Sequence, residues 1–212
     1  MSNGWLHASL VANSSFAEAC ISSIVEVRRI VFIVLILLLA GGYSLQAKAV
    51  AASPAAAPDS LPVPKNIREM MFYLQRDPNA NTVVYELNRN SAGAVDEKQP
   101  IHPFWIRYAD DGERKELNYI QRKFAYGLNT KKLGNGSYEL TFVCYSKLPL
   151  YLRKAPGRKY HIYVTINQQE AMLDRVYVRI EGGTFWVPNV VYVELKGRDA
   201  ATGKVVTERF KP

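Results

Sequence analysis

Hydrophobic and polar residues alternate in short segments along the chain beyond residue 66, and this period of two is typical of half-buried β-strands. In the segment 137–146, one face carries Tyr138, Leu140, Phe142 and Cys144. We therefore expect a strand there, with Cys144 buried and its thiol inert. Comparable patterns predict strands at 70–76, 82–88, 103–109, 159–166, 173–181, 189–197 and 204–210.

One segment has the period of a helix instead. Between Arg114 and Phe124, the residues Leu117, Ile120 and Phe124 are spaced so that they form a single apolar stripe. About eight strands and one short helix predict an all-β fold, mainly an antiparallel barrel or sandwich. A parallel α/β fold would need a helix between most strands, and the pattern does not provide these helices.

The N-terminal part of the chain has a different pattern. Residues 30–39 are all apolar, follow Arg28 and Arg29, and precede the triplet Ala47-Lys48-Ala49. These are the parts of a secretory signal peptide. We predict an N-terminal hydrophobic helix in a signal segment over 1–49, cleaved after Ala49, and export to the periplasm or the medium. The alternative is an uncleaved membrane anchor through residues 30–45.

The domain organisation follows from composition. Residues 1–26 are long for the start of a signal segment, and an over-extended start would explain them. Residues 50–65 are rich in Ala and Pro, which predicts an extended linker, and 66–212 then form a single β-rich domain. Beyond residue 49 Cys144 is the only cysteine, so the domain depends on a hydrophobic core rather than a disulfide.

Three runs in the first half of this domain carry a resemblance to a known family. They are MFYLQRDPNANTVVYELN (71–88), PIHPFWIRY (100–108) and LNYIQRKFAYGL (117–128). With them, most of 68–212 resembles a family of exported bacterial proteins classed as a domain of unknown function. The resemblance implies an envelope or secreted domain. It supplies no activity, substrate or catalytic residue.

The same runs contain a candidate ligand site. Arg107 and Trp105 share a face of one predicted strand, and an arginine beside stacking rings can bind an anion or a sugar. We expect the site to be completed by Tyr73, Tyr85 and Tyr126. The alternative is that Arg107 is a structural cation paired with carboxylates or backbone carbonyls.

A second candidate surface is basic. Arg175, Tyr177 and Arg179 alternate outward from the strand at 173–181, with Arg153, Lys154, Arg158 and Lys159 near in sequence. The formal net charge of +8 also permits an anionic partner. We expect an exported monomer, with an anionic glycan or lipid headgroup rather than nucleic acid as its partner. The alternative is a solvated face that keeps a strand edge soluble.

The leading functional hypothesis is a non-enzymatic envelope protein that binds a ligand or partner. His102 and His161 have no recognisable catalytic motif, and no catalytic residue, metal or cofactor is assigned. The alternatives are a hydrolase or carbohydrate-active enzyme, and an accessory protein that docks through its basic face. An enzyme could assemble its site from the scattered carboxylates Asp77, Asp96, Glu97 and Asp110.

Overall fold

The computed structural model of the chain describes residues 58–76, 79–155, 157, 159–184 and 187–212. The predicted signal segment 1–49 and the first half of the predicted linker lie outside the described residues. Within the described ranges, no helix is long and apolar enough to cross a membrane.

The described residues form one mostly antiparallel sheet of eleven strands, curled into a half-barrel. Each segment that the alternation predicts as a strand contains strand structure, so the expected all-β fold class is confirmed. The strands are β1 (Met70–Arg76), β2 (Asn79–Leu87), β3 (Ile101–Ile106), β4 (Arg114–Glu116), β5 (Leu128–Gly134), β6 (Ser137–Phe142), β7 (Tyr145–Lys154), β8 (Tyr160–Ile166), β9 (Gln169–Gly183), β10 (Pro188–Asp199) and β11 (Val205–Phe210).

The long strand β9 connects two arms of the sheet. One edge of β9 pairs first with β8 and then, in parallel, with β1, while the other edge pairs with β10. The first arm runs β1-β2-β3-β4, the second runs β8-β7-β6-β5, and β11 closes the edge beyond β10. Because both arms leave the same edge of β9, their inner faces can pack on each other.

Aromatic side chains form the centre of the core between the arms. The rings of Phe72 on β1 and Tyr85 on β2 are stacked with their centroids 4.2 Å apart. Phe142 on β6 contacts both rings edge to face, at 6.2 and 5.9 Å. Burial of such side chains is the main favourable term for folding, and it holds the two arms together here.

The segment that was predicted as one strand over 137–146 is divided by a turn. Val143 and Cys144 form the turn, and Phe142 pairs directly with Tyr145 across the resulting β6–β7 hairpin. The backbone N–H of Val143 donates to the carbonyl of Gly127 at 3.0 Å, which holds the turn against the rest of the chain. The expectation of a buried Cys144 is therefore wrong, since the turn exposes it.

The predicted helix is present but begins later and is wound differently. Its first turn, Tyr119–Gln121, is α-helical, and Arg122–Tyr126 continue as a π-helix; together they are called α1. Asn118 begins α1 in a capping box, because its side chain accepts from the backbone of Gln121 and the Gln121 side chain accepts in return. Residues 114–116 form β4 instead.

The predicted apolar stripe of this helix is buried at one end only. Leu117 is buried, whereas Ile120 and Phe124 are 46% and 55% exposed. Leu117 precedes the N-cap Asn118 and Phe124 lies in the π-helical part of α1, so the three residues do not share one continuous α-helical period. Tyr126, at the end of α1, is buried in its place.

The prediction that β9 presents an outward basic stripe is wrong for Arg175 and Tyr177, because both side chains are buried. The side chain of Arg175 donates to Glu194 at 2.6 Å and to Asp59 and the carbonyl of Pro58, each at 3.0 Å. Residues 58–64 therefore cover this face of the sheet, which alternation within β9 cannot reveal. A hydrogen bond from Lys196 and the charge of Arg175 lower the pKa of Asp59.

Candidate functional site

Two adjoining cavities lie between the arms of the sheet, with volumes of about 220 and 360 Å³. The end of β1, the β6–β7 turn and the β9–β10 hairpin form their common wall. The residues that line both cavities are Leu74, Cys144, Val178, Pro188 and Val190. The smaller cavity extends to α1, and the larger one extends to Phe210 on β11.

The lining of both cavities is almost wholly apolar, and it follows from the pattern of the strands. Phe72 and Leu74 alternate toward the interior along β1, and the next residue in this alternation is Arg76. Among the described residues that line the two cavities, Arg76 is the one charged side chain. Arg76, the last residue of β1, is therefore a charged exception in an otherwise apolar wall.

The guanidinium of Arg76 has no hydrogen bond or ion pair among the described residues. Its Nε atom is buried and makes no hydrogen bond, and its Cζ atom lies 5.7 Å from the centroid of the Tyr126 ring. Burial raises the pKa of Tyr126 because it disfavours the phenolate. Arg76 thus presents an unused donor beside a neutral aromatic ring.

Cys144 lies where the two cavities meet. The residue is exposed, yet protein atoms around the sulfur reduce its hydration, and this desolvation raises the pKa of the thiol. A raised pKa keeps the thiol protonated at neutral pH, and a protonated thiol is a poor nucleophile. The arrangement favours an accessible wall residue over a catalytic nucleophile.

Exposed apolar side chains flank the mouth of the smaller cavity. Phe124 and Ile120 of α1 line the cavity and are exposed, and Val187, which is 74% exposed, directly precedes the lining residue Pro188 in the chain. Single exposed apolar residues are common, but a group beside an apolar cavity marks a surface suited to binding. The cavity and its rim form one continuous apolar surface.

The comparison with known families can now be set beside this geometry. A family model described as "Domain of unknown function (DUF4833)" matches residues 72–209. The chain belongs to this family. No curated protein and no solved structure matches it. The matched DUF4833 region runs from β1 to β11 and so includes Arg76, Cys144 and both walls of the cavities.

The structure of the DUF4833 domain brings together three of the five residues predicted for the ligand site. Trp105 and Tyr126 contact each other edge to face at 5.0 Å, and the hydroxyl of Tyr85 donates to the carbonyl of Tyr126 at 3.0 Å. Of these, Tyr126 lines a cavity. Trp105 and Tyr85 belong to the packed core behind it.

The other two predicted site residues lie elsewhere in the DUF4833 domain. Tyr73 is on the opposite face of β1, in a separate cluster with Val84, Phe104 and Ile106. Arg107 follows the end of β3, and its Nε donates to Asp110 at 2.6 Å in a turn where both side chains are half exposed. Neither residue lines the cavities beside Tyr126.

The scattered carboxylates of the enzyme hypothesis each have a local role where they are described. Asp96 accepts from the backbone N–H groups of Lys98 and Gln99, Glu97 pairs with Lys132, and Asp110 pairs with Arg107. Asp77 lies outside the described residues. No group of three His, Cys, Asp or Glu side chains that could hold a metal ion is found in the described part of the chain.

Of the residues that form the cavity wall, sequence reasoning predicted Tyr126 as a site residue and missed the others. Arg76 could have been found, because it continues the inward alternation of Phe72 and Leu74 with a charged residue. The contribution of Val178, Val190 and Cys144 depends on how distant segments meet, and no local pattern indicates it.

Proposed function

We propose that the DUF4833 domain is a non-enzymatic binding protein that takes a small, largely apolar molecule into the cavities between its sheet arms. One observation carries the proposal: two adjoining apolar cavities open beside a rim of exposed apolar side chains. The larger cavity, at about 360 Å³, falls within the range of small-molecule sites, which is roughly 300–1,000 Å³.

The energetics favour occupation of the cavities. A cavity lined by apolar groups forgoes the dispersion contacts that a packed core would make. A ligand that fills it restores those contacts and removes apolar surface from water, at about 25 cal/mol for each Å². An apolar molecule that packs against Val178 and Val190 on the cavity wall therefore gains affinity.

A chemical role is less well supported than binding. Cys144 has a raised pKa, and neither histidine lines the two cavities. His102 instead contacts Glu116 at 3.0 Å on the surface. A nucleophile, a base and an orienting group within contact of one another would be required for covalent catalysis.

We also propose that the domain works outside the cytoplasm, in the periplasm or the medium. The apolar run at 30–39, the preceding arginines and the Ala47-Lys48-Ala49 triplet support export. In that setting the ligand would be an apolar or amphipathic compound of the cell envelope or its surroundings.

Alkylation of Cys144 tests occupation of the cavities. In the full chain with Cys20→Ser, Cys144 is the single thiol, and a maleimide reagent reports its access. We expect 1-decanol at ten times its Kd to slow alkylation about tenfold, because the occupied fraction blocks the sulfur. The same concentration should raise the melting temperature by roughly 3 °C.

A matched pair of variants gives the control. Val190→Trp adds an indole at the cavity wall, whereas Val205→Trp makes the same change at a 64% exposed position on β11. We expect the first variant to fold and to lose protection by 1-decanol, and the second to retain it. Equal protection in both variants would contradict binding in the cavity.

Two further outcomes would also contradict the proposal. One is an alkylation rate that no apolar compound changes. The other is a concentration-dependent dimer in sedimentation that dissociates in Phe124→Ser but not in the presence of 1-decanol. The exposed apolar rim would then be a dimer interface between two copies of the chain.

A further inference from the structure

We propose that the ligand is an amphiphile with one anionic group, a free single-chain carboxylate, and that Arg76 binds this group at the edge of the cavity. The inference rests on the proposed function and adds to it the chemical class of the ligand. It depends on the contrast between a guanidinium that has no hydrogen bond or ion pair among the described residues and an otherwise apolar wall.

Arg76 differs from other arginines of the sheet in its partners. Arg175 donates to Glu194, Arg107 to Asp110, and Arg89 to Glu69. Arg76 has no such carboxylate among the described residues. Its buried Nε makes no hydrogen bond, and the same holds for the Nε atoms of Arg153 and Arg175, but those two guanidiniums donate to Glu170 and Glu194 through another nitrogen. A buried donor on a charged group is costly to leave unpaired, so a position of this kind is well suited to an external acceptor.

The chemistry of the side chain selects the anion. A guanidinium presents planar, paired N–H donors that match the two oxygens of a carboxylate. The neighbouring Tyr126 ring, 5.7 Å from the Cζ atom, holds the guanidinium plane by a cation–π contact while its donors remain available. A bidentate carboxylate is therefore the acceptor that this position fits best.

The placement of Arg76 determines where the rest of the ligand lies. It stands at the last residue of β1, on the wall of the smaller cavity, and Leu74 on the same strand face lines both cavities. Val178 on β9 is the direct neighbour of Arg76, so a carboxylate at Arg76 would direct an attached chain past Leu74 toward Val176, which lines the larger cavity. A wholly apolar molecule would leave the guanidinium unpaired, and a polar anion would leave the cavity empty.

Titration calorimetry with two matched ligands tests the inference. Decanoate and 1-decanol share the same chain and differ in the head group, and decyltrimethylammonium has the opposite charge. We expect the wild-type protein to bind decanoate on the order of ten- to hundredfold more tightly than 1-decanol, as one charge-assisted pair provides. The cationic amphiphile should bind more weakly than either.

Variants then assign the preference to a residue. Arg76→Met should bind decanoate and 1-decanol about equally, with affinity for 1-decanol retained. Arg107→Met removes the same charge at a position off the cavity wall and should keep the full preference for decanoate. If Arg76→Met does not fold, Arg76→Lys keeps the charge without the paired donors and should show a reduced preference.

The outcomes separate the two proposals. Equal affinity of the wild type for decanoate and 1-decanol would overturn the role of Arg76 and leave the apolar binding site intact. No binding of either ligand would overturn both. A preference for decanoate that is lost in Arg107→Met and kept in Arg76→Met would move the anion site to Arg107.

A vesicle experiment separates a free carboxylate from a membrane lipid. Flotation is compared for vesicles of phosphatidylglycerol and of phosphatidylcholine, with wild type and Arg76→Met. We expect no flotation that depends on Arg76. Flotation with the anionic vesicles that Arg76→Met abolishes, without binding of decanoate, would assign the anion to a lipid headgroup and overturn the free carboxylate.

Discussion

The substitution Glu194→Gln should destabilise the domain more than any loss of a surface ion pair. Glu194 and Arg175 are 5% and 4% exposed at their side chains and lie 2.6 Å apart. The second carboxylate oxygen of Glu194 accepts from Arg209 at 2.7 Å. Removal of this one negative charge leaves Arg175 buried with Asp59, which is 75% exposed, as its remaining carboxylate.

The magnitude follows from burial. Breaking a buried ion pair by removing one partner costs about 3–5 kcal/mol, because the remaining charge is desolvated without compensation. For a domain of this size that corresponds to a fall of roughly 10 °C in the melting temperature. The control is Glu170→Gln, which removes the partner of Arg153 at a pair that is 37% and 54% exposed. Exposed pairs contribute about 0–1 kcal/mol.

Urea unfolding of wild type, Glu194→Gln and Glu170→Gln gives the comparison directly. A third variant, Arg175→Met with Glu194→Leu, removes both buried charges and should recover most of the loss, since a hydrophobic pair of similar volume is often as stable as a buried ion pair. The reasoning is refuted if Glu194→Gln costs no more than Glu170→Gln, or if the double variant is less stable than Glu194→Gln alone.

Four further predictions concern the rest of the chain. Burial, with the nearby charges of Arg198 and Lys159, lowers the pKa of His161 below its ordinary 6.5, so the stability of the domain should fall as the pH drops below 6.5. In urea unfolding, His161→Gln should reduce this dependence of stability on pH. An unchanged dependence would show that His161 does not cause it. Gly127→Ala places a Cβ atom 2.0 Å from the carbonyl oxygen of Arg122 and should cost about 1–3 kcal/mol by thermal unfolding; a neutral effect would mean that α1 ends differently. Cys144 is exposed, so it should be alkylated in the native protein, and because its pKa is raised, the reaction should accelerate at a higher pH than that of a free thiol. Labelling only after denaturation would show that Cys144 is buried. Protein recovered from a secreting bacterial host should begin at Val50 by intact mass, and a membrane-bound species retaining residues 30–45 would favour the anchor instead.

The strands could be predicted because their faces differ in polarity along the chain. In β8, for example, Ile162, Val164 and Ile166 are buried on one face, as the alternation indicates. The turn between β6 and β7 could not be predicted in this way. Neither valine nor cysteine is a residue type that favours turns, and the alternation continues across Val143 and Cys144. The turn is held by Gly127, which is distant in sequence.

The candidate site was less accessible to sequence reasoning than the fold. Alternation separates two faces of a strand but does not say what covers each face. Arg175 was assigned to solvent because the covering residue Asp59 lies 116 positions away. The sequence predicts Arg107 as a site residue because it shares a strand face with Trp105. Arg107 and Arg76 differ, however, in whether a described carboxylate pairs with them, and this depends on tertiary structure.

A crystal structure of the protein with decanoate is the most direct test of the central claim. We expect the alkyl chain to pack against Val178 and Val190 in the cavities of the half-barrel, and a carboxylate oxygen to lie about 2.7–2.9 Å from a guanidinium nitrogen of Arg76. Decanoate bound at Arg107, or cavities left empty at a saturating concentration, would contradict the claim.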